Sequence, residues 1–184
     1  MSVVVVEEQP PVLGTEADRL DASTFVAAYQ LHRRSVYRYL LGRARDEEEA
    51  LDLTAITFER AFASMGRFRR RDGGVHAWLL RIARNAAIDA DRRHRPTVDI
   101  AGAHAGAFLG RAAIESDRVE RQKEAILDLV AVLPKEQRDV LLLRYAAGLT
   151  AREIGVVIGK REGAVQKQIE RGLAALREAL HDAG

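Results

Sequence analysis

At 184 residues, 47% hydrophobic and 30% charged, the chain has apolar material for one ordinary domain or two small ones, and too much to be disordered throughout. It contains no cysteine, which excludes disulfides, thiol catalysis and cysteine-ligated zinc, and no apolar run long enough to span a bilayer. The net charge of +2 hides an uneven distribution. Between residues 66 and 95, nine arginines (67, 69, 70, 71, 81, 84, 92, 93 and 95) stand against Asp72, Asp89 and Asp91, while Asp46, Glu47, Glu48, Glu49 and Asp52 cluster just upstream. Such neighbouring stretches suit two partners of opposite charge, although two solvated helix faces give the same pattern.

With aromatics at 5% and Ala, Leu, Arg and Glu abundant, the expected fold is all-α, as two small helical domains joined by a flexible linker. Residues 1–20 read as a flexible leader. The apolar tract 3–6 runs straight into Glu7, Glu8 and Pro10-Pro11 and lacks the basic start and long core of a secretion signal, so a cytoplasmic protein is expected. A first helix follows Asp21, with Phe25, Tyr29, Val36 and Leu40 at helical spacing and Gly42 permitting a break. A second runs over 47–65 with Ala50, Leu53, Thr54, Thr57, Phe58, Ala61 and Phe62 inward. After a turn at Asp72-Gly73-Gly74, a third spans 75–93 on Trp78, Leu79, Ile82, Ala86 and Ala90, and Pro96 stops it. The first domain is therefore set at 21–95.

Residues 96–117 are rich in Ala and Gly with weak periodicity, and are too long for a loop inside one compact domain. They read as the linker. Helical periodicity resumes at about Arg118 with Ile126, Leu129, Val130 and Leu133 on one face, opening a second domain at 118–184. Pro134 suits the first turn of a helix carrying Val140, Leu141, Leu143 and Tyr145, with Gly148 as its cap. Thr150 and Glu153 form a capping box for a short helix with Ile154 and Val157 or Ile158 inward. Residues 159–163 make a turn, and a last helix aligns Val165, Ile169, Leu173, Leu176 and Leu180.

A short capped helix, a glycine-containing turn and a longer helix form a helix-turn-helix, whose second helix presents polar side chains to the major groove. Gln166, Lys167, Glu170 and Arg171 are the outward candidates for base edges, and Arg161 in the turn for the phosphate backbone. A helical hairpin with a merely wet face has the same pattern, and many repressors and activators share the motif.

The N-terminal half narrows the choice. Asp52-Leu-Thr54, Thr57-Phe58, Phe68-Arg-Arg, Ala77-Trp-Leu-Leu-Arg-Ile-Ala-Arg-Asn85, Ile88-Asp89 and Arg92-Arg93 resemble domain two of the extracytoplasmic-function (ECF) sigma factors of the sigma-70 family. Leu133-Pro-Lys-Glu-Gln-Arg138, Leu141, Tyr145, Gly148-Leu-Thr150, Glu153-Ile154, Gly163 and Val165 resemble their domain four. Together the matches cover residues 23–95 and 119–181 in the family's order.

The resemblance implies a subunit that directs bacterial core RNA polymerase to promoters and assists their melting. In domain two it implies minus-ten contacts by Trp78 and Asn85, with Arg81, Arg84, Arg92 and Arg93 suited to phosphates. Trp78 also reads as a plain core aromatic. In domain four it implies minus-thirty-five reading by Arg161, Gln166, Lys167, Glu170 and Arg171 and a contact with the polymerase β flap. Glu48, Glu49, Asp52 and Ile56 match the surface that docks on the β′ clamp helices. An anti-sigma factor is a further implied partner. Two departures stand out: Ala55-Ile56 replaces the family's frequent Gln and acid, and Gln166-Lys167 with Glu170 replaces a basic residue and a Ser in the recognition helix.

Two other functions compete. A one-component regulator would use the helix-turn-helix alone, but would not need the basic first domain. An enzyme acting on nucleic acid would need a site. His32, His76, His94, His104 and His181 are scattered, no serine has an activating motif, and no glycine loop cradles phosphate. No catalytic residue, metal or cofactor is expected.

Overall fold

In a computed structural model the described residues are 20–69, 73–94, 130 and 133–182, with the backbone alone at 179, 180 and 182. The expected leader (except Leu20), the linker and most of the helix expected from residue 118 lie outside them, as do Ile126, Leu129 and the side chain of Leu180. Every regular element among the described residues is helical.

Helix α1 (Ala22–Leu41) starts where Asp21 accepts hydrogen bonds from the amide (2.8 Å) and hydroxyl (2.7 Å) of Thr24, while the Asp21 amide donates back to the Thr24 hydroxyl at 2.9 Å. This reciprocal cap satisfies donors that a helix start otherwise leaves open. Helix α2 (Glu47–Ser64) is capped by Asp46, which accepts from the Glu49 amide at 2.8 Å, and Glu47, Glu48 and Glu49 complement the positive end of its dipole. Inside it, Thr54 and Thr57 return their hydroxyl protons to the carbonyls of Ala50 and Leu53, so Thr57 is fully buried without an unmet donor. Helix α3 (Gly74–Arg93) enters through Gly73 and Gly74, both at positive φ.

In the C-terminal unit Pro134 is the N-cap of α4 (Lys135–Leu141), which loosens into a π-helical turn over Leu142–Ala146. That turn buries Leu142, Leu143 and Ala146. Helix α5 (Ala151–Ile158) has the expected capping box, with the Thr150 amide donating to Glu153 at 2.8 Å, and ends at Gly159 with φ 70°. Helix α6 (Glu162–Asp182) follows a two-residue turn. Gly155 makes that turn possible, because a Cβ there would lie 2.5 Å from the Lys160 carbonyl oxygen.

The helix positions agree with the sequence to within a residue or two, but several expected core residues face outward. Phe62 is 53% and Tyr29 41% exposed, each set edge-on against a buried ring, Phe25 and Phe58 respectively. Tyr145 and Leu173 are also exposed. The larger difference lies between the units. One continuous core runs from α1 to α6, and α3 packs against α5 while α1 packs against the π turn. Leu80 and Ala87, on a face of α3 not expected to be apolar, are consequently buried. Gly73 allows this approach: a Cβ on it would meet Val156 of α5 at 3.3 Å.

Candidate functional site

On α3 the expected minus-ten residues divide by helical phase. Trp78 is 6% exposed and sits edge-on against Phe68 with ring centroids 5.3 Å apart. Its indole belongs to the core of the first unit, in line with the plainer of its two sequence readings. Asn85, two turns further on, is exposed, as are Arg92 and Arg93, while Arg81 and Arg84 are half-buried. Arg93 donates to the Asp89 carbonyl at 3.4 Å.

The acidic start of α2 lies beside the end of α3. A groove of about 280 Å³ between them is lined by Glu48, Glu49, Asp52, Ile56, Arg93 and His94 among others. All four residues expected to meet polymerase thus share one groove with a residue expected to meet DNA. Glu48 and Asp52 are exposed, and Ile56 is half-buried against the core. Glu49 is partly engaged within the chain, accepting from the Arg45 amide at 2.8 Å and side chain at 3.2 Å.

The helix-turn-helix is open on its outer side. Arg161, Gln166, Lys167, Glu170 and Arg171 are all exposed, whereas Val165 and Ile154 anchor the two helices from within. The Arg161 carbonyl accepts from the amides of Ala164 (2.9 Å) and Val165 (3.1 Å), which fixes the first turn of α6 and the direction of the polar face.

Sequence reasoning missed a polar cluster where the two units meet. Asp139 of α4 is 5% exposed and accepts hydrogen bonds from the Tyr39 hydroxyl (2.5 Å) and from Nε of Arg84 (2.6 Å). Arg43 stands 3.8 Å from the same carboxylate and 3.3 Å from Asp91, which also pairs with Lys135 of α4 at 2.5 Å. Burial, reinforced by Asp139, raises the Tyr39 pKa well above the usual phenol value, so the hydroxyl keeps the proton it donates. Burial disfavours the Arg43 charge, yet Tyr39, Asp139 and Asp91 together outweigh it and raise its pKa. An acid directly ahead of the apolar run 140–143 was the available signal.

The histidines are scattered in sequence, yet the fold brings two of them together. His32 of α1 and His76 of α3 stack with ring centroids 4.5 Å apart and planes 10° from parallel, and Nε2 of His76 lies 2.7 Å from the Ser35 hydroxyl. Burial, with His76 adding to it, lowers the His32 pKa to about 4, and burial lowers that of His76 against the pull of Glu153 on α5. Among the described residues no group of three or more metal-type ligands forms, and no helix is long and apolar enough to cross a membrane.

Two helical units, the second with an open helix-turn-helix, have the architecture of a two-part DNA-reading factor. The pattern of sigma-70 region 2 matches residues 28–97, and that of sigma-70 region 4 matches residues 123–176. The chain is 30% identical over 156 residues to the ECF RNA polymerase sigma factor SigM of Bacillus subtilis, covering 85% of this chain and 94% of that protein. It is 31% identical over 172 residues to the ECF RNA polymerase sigma factor BldN of Streptomyces coelicolor, covering 88% of this chain but 62% of that longer protein. Among solved structures, CnrH in complex with the cytosolic domain of CnrY superposes with a TM-score of 0.64 at 23% identity, over 89% of this chain and 90% of that one. RpoE in complex with the anti-sigma factor NepR from Bartonella quintana gives 0.64 at 17% identity, over 87% and 98%. The chain belongs to the ECF sigma factors of the sigma-70 family, the subunits that give bacterial RNA polymerase its promoter specificity.

Proposed function

We propose that residues 21–95 act as the minus-ten and polymerase-binding domain and residues 118–184 as the minus-thirty-five domain, with 96–117 as the linker between them toward the RNA exit path. In this reading Asn85 holds an unstacked non-template base, while Arg81, Arg84, Arg92 and Arg93 neutralise phosphates. Trp78 acts through the core, fixing the phase of α3. Glu48, Glu49, Asp52 and Ile56 dock on the β′ clamp helices, and the C-terminal unit touches the β flap.

The observation that carries the reading is the exposure of Gln166, Lys167, Glu170 and Arg171 along one side of α6 while Val165 on the other side is buried. That is the arrangement a recognition helix needs to enter a major groove. The protein acts by binding rather than catalysis, in the cytoplasm where the polymerase works. An anti-sigma factor is the partner that holds it inactive. In support, a protein of the same fold, RpoE, has been seen in complex with the anti-sigma factor NepR.

Reconstitution with bacterial core polymerase on a promoter library tests the assignment. Promoter-specific initiation is expected, weakened on substituting Asn85 and redirected on substituting Gln166. Unchanged selection in both variants would refute the residue roles while leaving the family intact.

A further inference from the structure

Helix α4 approaches α3 with two charges of opposite sign, one turn apart. Lys135 reaches Asp91 and Asp139 reaches Arg84. On α3 those partners lie two turns apart and in reverse order, so the two helices meet antiparallel with an acid facing a base at both ends of the contact. The inner position is a socket. Tyr39, Arg43 and Arg84, all from the first unit, converge on the Asp139 carboxylate of the second. A shift that withdraws Asp139 would leave Arg43, whose side chain is 4% exposed, with Asp91 alone, so the contact favours this alignment.

We propose that Asp139 is the keystone of an intramolecular latch that closes the C-terminal unit over α3 and withholds Arg84 from promoter DNA until the two units part. The second clause rests on the minus-ten role assigned to Arg84 above. The guanidinium cannot keep Nε on a buried carboxylate 2.6 Å away and also swing out to a phosphate. Opening hydrates both sides of the socket, and a buried ion pair adds little net stability because its desolvation offsets its attraction. Such a contact specifies one closed arrangement, and the apolar surface buried beside it, Leu80 and Ala87 included, is what opening must expose. The recognition face of α6 stays exposed in this closed state, so the latch masks one promoter-reading surface and leaves the other free.

Because the chain has no cysteine, a Glu59→Cys/Glu178→Cys pair places a donor and an acceptor dye at two exposed sites, one in each unit. In the full chain, Asp139→Asn is expected to lower energy transfer and to tighten binding of a fluorescent single-stranded oligo-dT. The gain is about tenfold if nine molecules in ten are latched beforehand, since apparent affinity scales with the competent fraction. Adding Arg84→Ala to the open variant should abolish the gain. Lys135→Glu, which reverses the outer pair at a largely exposed side chain, should open the chain partially and serves as the deciding variant if Asp139→Asn loses its helical circular dichroism. Unchanged energy transfer in the folded variants overturns the latch. Opening without tighter oligo-dT binding would keep the latch and overturn the DNA role of Arg84.

Discussion

The Tyr39 hydroxyl donates to Asp139 at 2.5 Å, tying α1 to α4 across one hundred residues of chain. Both groups are buried, and the phenol shares the Asp139 carboxylate with Arg43 and Arg84. Tyr39→Phe keeps the ring and deletes this bond. Asp139 retains Arg84, so the loss is that of one buried hydrogen bond, about 1–3 kcal/mol. Urea unfolding followed by circular dichroism should register it as a lower midpoint with little change in slope. A midpoint equal to that of the parent would mean the hydroxyl contributes nothing.

The stacked His32 and His76 make stability depend on mild acid. Both are pushed toward the neutral form by burial, His32 to about 4 from an ordinary value of 6.5. A base with a depressed folded pKa binds fewer protons folded than unfolded, so its contribution is complete above pH 6.5 and is lost as pH falls toward 4. Glu153, which faces His76 from α5, recovers part of it for that residue. Allowing for partial exposure, the fall is on the order of 2 kcal/mol. His32→Phe, which keeps the stacked ring, should flatten the dependence of urea midpoint on pH between about 4 and 6.5. An unchanged slope would assign the dependence elsewhere.

Gly155 lies inside α5, where alanine is ordinarily favoured by about 1 kcal/mol. Here a Cβ would sit 2.5 Å from the Lys160 carbonyl, whose own amide bonds back to Gly155 at 2.9 Å. Relieving that overlap means prising α5 from the start of α6, and strain of this kind costs about 1–3 kcal/mol beyond the helix gain. Gly155→Ala should lower the melting temperature and weaken duplex promoter binding together. A rise in melting temperature would show that the turn can yield.

The helices were legible in sequence because their signals are local. Asp21 and Asp46 cap, Thr150 and Glu153 cap reciprocally, and Gly73, Gly148 and Gly159 occupy the positive-φ turns. The exposed polar face of α6 followed from the same periodicity. What periodicity could not convey was a second partner for α3. Leu80 and Ala87 fall off the stripe set by Trp78 and Leu79, and they are buried because α3 is packed from more than one side. The Asp139 socket was hidden for a related reason: its members are Tyr39, Arg43, Arg84 and Asp139, four residues whose common position is set by tertiary packing alone. Phe62 and Tyr29 erred in the other direction, being apolar by pattern yet lying at the rim of the first unit.

Gln166 tests the recognition helix. Its exposed amide at the start of α6 suits an adenine edge, whereas an arginine there would prefer guanine. Gln166→Arg should shift the selected minus-thirty-five base at one position, with about 1–3 kcal/mol of discrimination, and leave the minus-ten selection as it was. Sequencing of transcripts from a randomised promoter pool reads both at once. An identical profile would remove Gln166 from the base-reading set.

Trp78 and Asn85 sit two turns apart on α3 and should separate cleanly by substitution. Trp78 is 6% exposed against Phe68, so Trp78→Ala opens a large cavity and should cost about 3–5 kcal/mol, with DNA binding failing only as the fold fails. Asn85 is exposed, so Asn85→Ala should change stability by less than about 0.5 kcal/mol. Its effect belongs in promoter opening, where losing an amide contact to a base costs about 1–3 kcal/mol, roughly five- to a hundredfold in open-complex formation. Permanganate footprinting of the holoenzyme on a cognate promoter reports that step directly, and a linear promoter is more sensitive to it than a supercoiled one. If Asn85→Ala opens the promoter as well as the parent while Trp78→Ala, at a temperature where it is still folded, does not, then Trp78 and not the amide carries the contact with the melted strand.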